Sequence, residues 1–271
     1  MKTLYLSDLD GTLLRSDQKI SAFTAQTING LVERGMIFSY ATARSIITAR
    51  RATEGLSARI PLILYNGVFV MENETGRILL LNQFEREKAV SLLDDLLANE
   101  IYPIVYALEE GRERFRYLGQ RINRATRDFV DSRKDDPRKT PVQDEKELFC
   151  GGIYYVTCIG GKEKLGKTYE KYRQEHRCIF HEDVYSHEIW LEIMPAGASK
   201  ANAARQLKEY LGCERIVAFG DGKNDLDLFE LADECYAVEN AVDELKLIAN
   251  GVIGGNDEDG VAKWLKAHFG D

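Results

Sequence analysis

At both ends of the chain, short apolar runs stop at polar or glycine-rich turns, and stretches of helical periodicity separate them. Thr3–Ser7 and residues 36–41, 62–65, 216–219 and 235–238 read as strands. Residues 21–34 carry apolar side chains at helical spacing behind Ser21, a suitable N-cap, and residues 199–211 and 225–231 read as helices as well. Strands that alternate with helices predict an α/β domain on a parallel sheet covered on both faces.

The middle has a different rhythm. Runs at 102–108, 115–118, 153–159 and 189–193 alternate more strictly and are richer in aromatic residues, with helical stretches at 85–99 and 162–174 between them. This predicts an α+β module with an antiparallel sheet, inserted at 84–190 into a Rossmann-like core made of 1–83 and 191–271. The charged segment 131–147, with Pro137 and Pro141, is its expected exposed loop. Tyr102, Tyr106, Tyr154 and Tyr185 are expected in the module's own core. An insertion at that point can sit as a lid over the carboxyl ends of the core strands, where open α/β sheets bind ligands.

Composition narrows the classes. Over 271 residues, 44% apolar and 30% charged residues fit a globular protein. The net charge of -8 argues against nucleic acid as a partner. No apolar run approaches the ~20 residues that span a bilayer, and the carboxylates of MKTLYLSDLDG come too early for a signal peptide. Cys150, Cys158, Cys178, Cys213 and Cys235 are odd in number and form no CxxC pair, so free thiols in the cytoplasm are expected. The four histidines lack metal-ligand spacing. Nothing in the pattern specifies an oligomeric state.

Two acidic clusters follow strands directly. Asp8-Leu9-Asp10-Gly11-Thr12 closes the first strand, a combination expected by chance on the order of twice in a thousand chains. A polar turn would explain it alone, but two carboxylates held close repel, and a divalent cation relieves that. Gly220-Asp221-Gly222-Lys223-Asn224-Asp225 closes a later strand, with Asp221 at the strand end and Asp225 in the first turn of a helix, where it also serves as a cap. Carboxylate oxygens are hard ligands that suit Mg2+. Thr42, after the second strand, offers a hydroxyl to a phosphoryl oxygen, although a threonine there is more often a helix cap. Lys200 opens a helix in Gly197-Ala198-Ser199-Lys200, where a lone lysine is usually solvated.

These four pieces, in this order, resemble the haloacid dehalogenase superfamily, specifically its Cof-type phosphatases with a type IIB cap, from Lys2 to Trp264. Tyr65-Asn66-Gly67, Leu191-Glu192-Ile193, Ala237-Val238-Glu239-Asn240-Ala241 and Asn256-Asp257-Glu258-Asp259-Gly260-Val261 also match. The chain departs from the family at Ala43, where Ala-Thr-Gly-Arg is usual. The resemblance implies that Asp8 is the nucleophile on phosphorus and that Asp10 protonates the leaving oxygen and then activates water. It implies Mg2+ held by the Asp8 carboxylate, the Asp10 carbonyl and Asp221, supported by Asp225. Thr42 and Lys200 would bind phosphoryl oxygens, with Arg44, Asn66 and Asn224 around the substrate. The implied substrate is a small phosphorylated metabolite.

Gly161-Lys162-Glu163-Lys164-Leu165-Gly166-Lys167-Thr168 fits the Walker A pattern and would suggest a nucleotide-binding protein. Its interior is bulky and helix-forming, so the expectation is a solvated helix face. Two other readings keep the acidic clusters: a phosphohexomutase-like transferase and a non-catalytic phosphometabolite sensor, the latter having no use for a general acid.

Overall fold

The chain folds as two units, one formed by Met1–Leu81 with Ser199–Asp271 and the other by Asn82–Ala198. The computed structural model describes residues 1–57, 59–182 and 188–269, so Tyr185 lies outside the described residues. In chain order the elements are β1 (Thr3–Ser7), α1 (Ala22–Glu33), β2 (Ile37–Ala41), α2 (Ile46–Ala52), β3 (Pro61–Leu64), β4 (Phe69–Glu72) and β5 (Ile78–Leu81). Then come α3 (Arg86–Ala98), β6 (Ile104–Glu109), β7 (Arg112–Leu118), α4 (Arg124–Asp131), β8 (Lys139–Val142), β9 (Gly152–Gly160), α5 (Lys162–Tyr172), β10 (Arg177–Glu182) and β11 (Ile189–Met194). The last elements are α6 (Lys200–Leu211), β12 (Arg215–Gly220), α7 (Leu226–Leu231), β13 (Glu234–Val238), α8 (Asp243–Ile248), β14 (Gly251–Ile253) and α9 (Gly260–His268).

The first unit is an α/β domain on a sheet of order β14-β13-β12-β1-β2-β3-β4-β5. Its strands run parallel from β14 to β3, and β4 and β5 add an antiparallel edge that the sequence reading missed. Near-continuous burial along β2 and β12 is what a sheet covered on both faces requires. Ser21 caps α1 by accepting from the Thr24 N–H, and Ser199 caps α6 by accepting from the Asn202 N–H, each at 3.0 Å. The strand order reverses direction at β1, which lies between β2 and β12. That topological switch point is where a doubly wound sheet leaves a crevice at its carboxyl edge.

The second unit carries a sheet of order β10-β11-β9-β6-β7-β8. Leu92, Leu93 and Leu96 of α3 and Leu165 of α5 join Val105, Val156, Leu191 and Ile193 in one core. Burying each such leucine contributes about 1.5–3 kcal/mol. Tyr106 and Tyr154 are buried, and Tyr102 packs against the core.

Two expectations need correction. Residues 131–147 are not one exposed loop: β8 lies inside them and pairs parallel with β7, the single parallel pair in this sheet among the described residues. Charge hid the strand. Arg138 is buried because Asp136 accepts from its Nε and Nη2 at 2.9 and 2.6 Å and Glu113 from its Nη1 at 3.3 Å. Pro141 suits an edge strand, which leaves one side unpaired. The boundary expected at 190/191 falls inside β11, whose pairing with β9 and β10 carries the second unit on to Ala198.

Candidate active site

Strand register brings the two acidic clusters together. Ser7 lies opposite Phe219, and the Asp8 N–H donates to the Phe219 carbonyl at 2.9 Å, so Asp8 and Asp221 leave neighbouring strand ends. Ligand oxygens of Asp8, Asp221 and Asp225 lie within 4.8 Å of one another. Lys200 reaches this group from the first turn of α6, and its Nζ donates to Asp8 Oδ1 at 2.5 Å and to Asp225 Oδ1 at 2.7 Å. Lys200 is 1% exposed and Asp225 0%. A lysine buried this deeply is tolerated only when paired.

Asp225 does not cap the helix it precedes. Its Oδ2 instead accepts the N–H groups of Asp221 and Gly222 at 3.2 and 3.1 Å, and its Oδ1 accepts Lys200. Both oxygens are therefore engaged. Asp225 organises the Asp221 turn and holds Lys200.

Thr12, to which the sequence assigned no part, donates from Oγ1 to Asp221 Oδ1 at 2.8 Å. Gly11 stands at φ +77°, and a Cβ there would collide with Asp221 Oδ2, so the close approach of loop to carboxylate needs glycine.

Three carboxylates face one ammonium, leaving negative charge in excess. Burial pushes the Asp8 carboxyl well above the usual range, Lys200 pulls it down, and Asp225 and Asp221 push it up again. Burial also raises Asp221, against the hydrogen bond from Thr12. Burial disfavours the charge on Lys200, but Asp225 and Asp8 outweigh it and raise its pKa. A divalent cation among these oxygens relieves the repulsion.

A second group of residues lies on the loops after β2 and β3. The Thr42 N–H donates to Ile63 O at 3.0 Å and the Asn66 N–H to Thr42 O at 2.9 Å. Thr42 is buried, and its Oγ1 accepts the Arg44 N–H at 3.1 Å, which leaves the hydroxyl proton for another acceptor. Ser45 caps α2, so the capping part open to Thr42 is already filled. Asn66 is buried at φ +53°, and its Oδ1 has no hydrogen-bond partner among the described residues. Ala43 is exposed and outside the positive-φ region, so glycine is not needed there.

Asp10 takes a different orientation from the other carboxylates. Its side chain is turned to Arg44, whose Nε and Nη2 donate to Oδ2 and Oδ1 at 2.8 and 2.5 Å, and Gln18 Oε1 accepts from the same Nη2 at 3.2 Å. Arg44, expected at the substrate, is thus engaged by Asp10. Asn224 sits in the turn Lys223–Asp225, its Oδ1 against Gly222.

The Walker-like stretch forms no phosphate cradle. It is the first two turns of α5, and Lys167, 77% exposed, donates to Glu163 Oε1 one turn back at 2.8 Å.

A family model described as haloacid dehalogenase-like hydrolase matches residues 5–265. The chain is 29% identical over 276 residues to the 5-amino-6-(5-phospho-D-ribitylamino)uracil phosphatase YitU of Bacillus subtilis, covering 97% of this chain and 96% of that protein. It is 30% identical over 280 residues to YwtE of the same organism, which carries the same activity in its name, with 95% of each chain covered. Its fold is similar to the crystal structure of TM0651 from Thermotoga maritima, with a TM-score of 0.82 at 23% identity, over 100% of this chain and 99% of that one. The chain belongs to the haloacid dehalogenase-like hydrolases, among their Cof-type phosphatases, and is a phosphomonoester hydrolase. No helix among the described residues is long and apolar enough to cross a membrane.

Proposed function

We propose that this enzyme hydrolyses small phosphorylated metabolites with Mg2+, through an aspartyl phosphate, an acyl phosphate, formed on Asp8. The observation that carries the reading is the buried Lys200 Nζ bridging Asp8 and Asp225 beside Asp221. A fold has little reason to bury this much charge for stability alone, because a buried ion pair is often no better than apolar packing.

An Asp8 oxygen bonds to phosphorus as the ester P–O bond breaks. Asp10, once it has left Arg44 and taken up a proton from solvent, gives that proton to the leaving oxygen and then takes one from the water that cleaves the aspartyl phosphate, which splits one hard displacement into two. Lys200 and the Thr42 hydroxyl hold phosphoryl oxygens. The unpartnered Asn66 Oδ1 accepts from a substrate hydroxyl, and Arg44 and Asn224 border the same space. The clustered carboxylates of Asp8, Asp221 and Asp225 fit Mg2+, with hard oxygens and excess negative charge, and the Asp10 carbonyl would join them as the family resemblance implies. Bound Mg2+ supplies charge neutralisation on the transferring phosphoryl group.

The names of the two Bacillus subtilis relatives support a small phosphorylated metabolite carrying a phosphoribityl group as the substrate class. The net charge of -8 disfavours nucleic acids. Five free cysteines favour a reducing cytoplasm. The test is phosphate release with Mg2+ across sugar phosphates, phosphorylated ribitylaminouracil, pyridoxal phosphate, nucleotides, phosphopeptides and 5′-phosphorylated oligonucleotides. The reading expects small metabolites to give the highest kcat/KM. Oligonucleotides or phosphopeptides ahead of every metabolite would overturn the substrate class. Turnover only with a sugar bisphosphate activator would indicate a mutase, and tight binding without turnover a sensor.

A further inference from the structure

The motifs around Asn240 and Asn256 have no part in the chemistry above, yet both reach the loop that carries Asp8 and Asp10. Asp10 (φ -73°, ψ 120°) and Gly11 (φ 77°, ψ -3°) have the dihedrals of the two central residues of a type II turn. In such a turn the Asp10–Gly11 peptide plane decides where the Asp10 carbonyl points. A flip to the type I arrangement turns that carbonyl to the opposite side. The Leu14 N–H closes the loop on Leu9 O at 2.8 Å, and its outward carbonyls are then held from outside. Asn240 Nδ2 donates to Gly11 O at 2.7 Å, and Asn256 Nδ2 to Leu14 O at 2.9 Å.

The two asparagines are tied together. The Asn256 backbone N–H donates to Asn240 Oδ1 at 3.1 Å. A backbone N–H can only donate, so the Asn240 oxygen must face Asn256 and its amide N–H must face Gly11. The turn after Asn256 is secured in its own right: Asp259 accepts from Ser21 Oγ at 2.6 Å, Thr24 Oγ1 at 3.0 Å and Arg15 Nη2 at 2.5 Å. On the other side of the loop, Thr12 is fixed to Asp221. Gly11 O and Thr12, on the peptide that directly follows the Asp10–Gly11 turn, are therefore held between Asn240 and Asp221.

We infer that Asn240, oriented by Asn256, is a positioning residue that fixes the Asp10–Gly11 turn and through it Asp10. The inference rests on the phosphatase reading. Asn240→Asp keeps the size and the oxygen facing Asn256 but replaces the donor with an oxygen facing Gly11 O. Asn240 is exposed, so folding should survive the change.

The experiment first compares wild type with Asp8→Asn on the best substrate of the panel, then measures kcat, KM and melting temperature for Asn240→Asp. It repeats the kinetics in an Asp10→Asn background. We expect kcat to fall about tenfold to a hundredfold, the scale of a misplaced catalytic group. KM should stay within about twofold, and the melting temperature within about 3 °C. In the Asp10→Asn background, which removes the side-chain acid but keeps the Asp10 carbonyl, the same change should cost clearly less than in the wild-type background. An unchanged kcat, a loss that only follows unfolding, or an equal loss in both backgrounds would overturn the inference. If wild type and Asp8→Asn do not differ, the phosphatase reading fails first and this inference falls with it.

Discussion

Lys200 and Lys167 both lie in the first two turns of a helix, and both belong to stretches that suggest phosphate handling. Their surroundings separate them. Lys200 is 1% exposed between Asp8 and Asp225, while Lys167 is 77% exposed and meets Glu163 on its own helix. An exposed i,i+4 pair contributes about 0.3–0.5 kcal/mol. Breaking a buried pair by removing one partner costs about 3–5 kcal/mol. The lesson is that lysine and glycine at motif spacing acquire chemistry only where chain crossings bury them against groups from other segments. Lys200 meets residues 192 positions before it and 25 after it, whereas Lys167 meets one four residues away.

The contrast can be broken in several ways. The largest expected effect is at Asp8. Asp8→Asn should lower phosphate release at least about a thousandfold, equivalent to ~4 kcal/mol, with an unchanged far-ultraviolet circular dichroism spectrum. Activity close to wild type would remove the nucleophile. Lys200→Met should abolish turnover and also destabilise the fold by about 3–5 kcal/mol in urea titration in metal-free buffer. Stability equal to wild type would mean that the buried bridge is not what it looks like. Asp221→Asn should raise the Mg2+ concentration for half-maximal rate by about tenfold or more, ~1.4 kcal/mol; full activity of either protein in excess EDTA would contradict the metal reading. At the small end, Lys167→Ala should leave kcat/KM within about twofold, since surface changes of this kind are close to neutral. A loss beyond about tenfold would make the two lysines alike and revive the nucleotide reading.

Much of this was legible in the residue order because strand ends carry the chemistry. Apolar runs that stop at Asp8, Thr42 and Asp221 already fix which residues reach the carboxyl edge of the sheet, and the cap at Ser21 followed from local hydrogen-bonding rules. Contacts between distant segments were harder to read. Thr12 meets Asp221 across 209 positions, Asn240 meets Gly11 across 229, and Asp10 is held by Arg44 rather than with the other carboxylates. No local period encodes such pairs. The strand β8 was hidden for a related reason, since charges that look solvated in sequence are buried there through Asp136 and Glu113. The antiparallel edge formed by β4 and β5 depends on pairing with β3, which short apolar runs do not announce.

The most direct test of the central claim is to look for phosphate on Asp8. The enzyme is mixed with Mg2+ and a substrate labelled in its phosphoryl group, quenched in acid within the first turnover, digested, and its peptides are read by mass spectrometry. The account predicts label on the peptide that contains Asp8, as an acid-stable, base-labile acyl phosphate, and none on that peptide from Asp8→Asn. Phosphate release in a full burst with no labelled peptide, or with label on another residue, would contradict it.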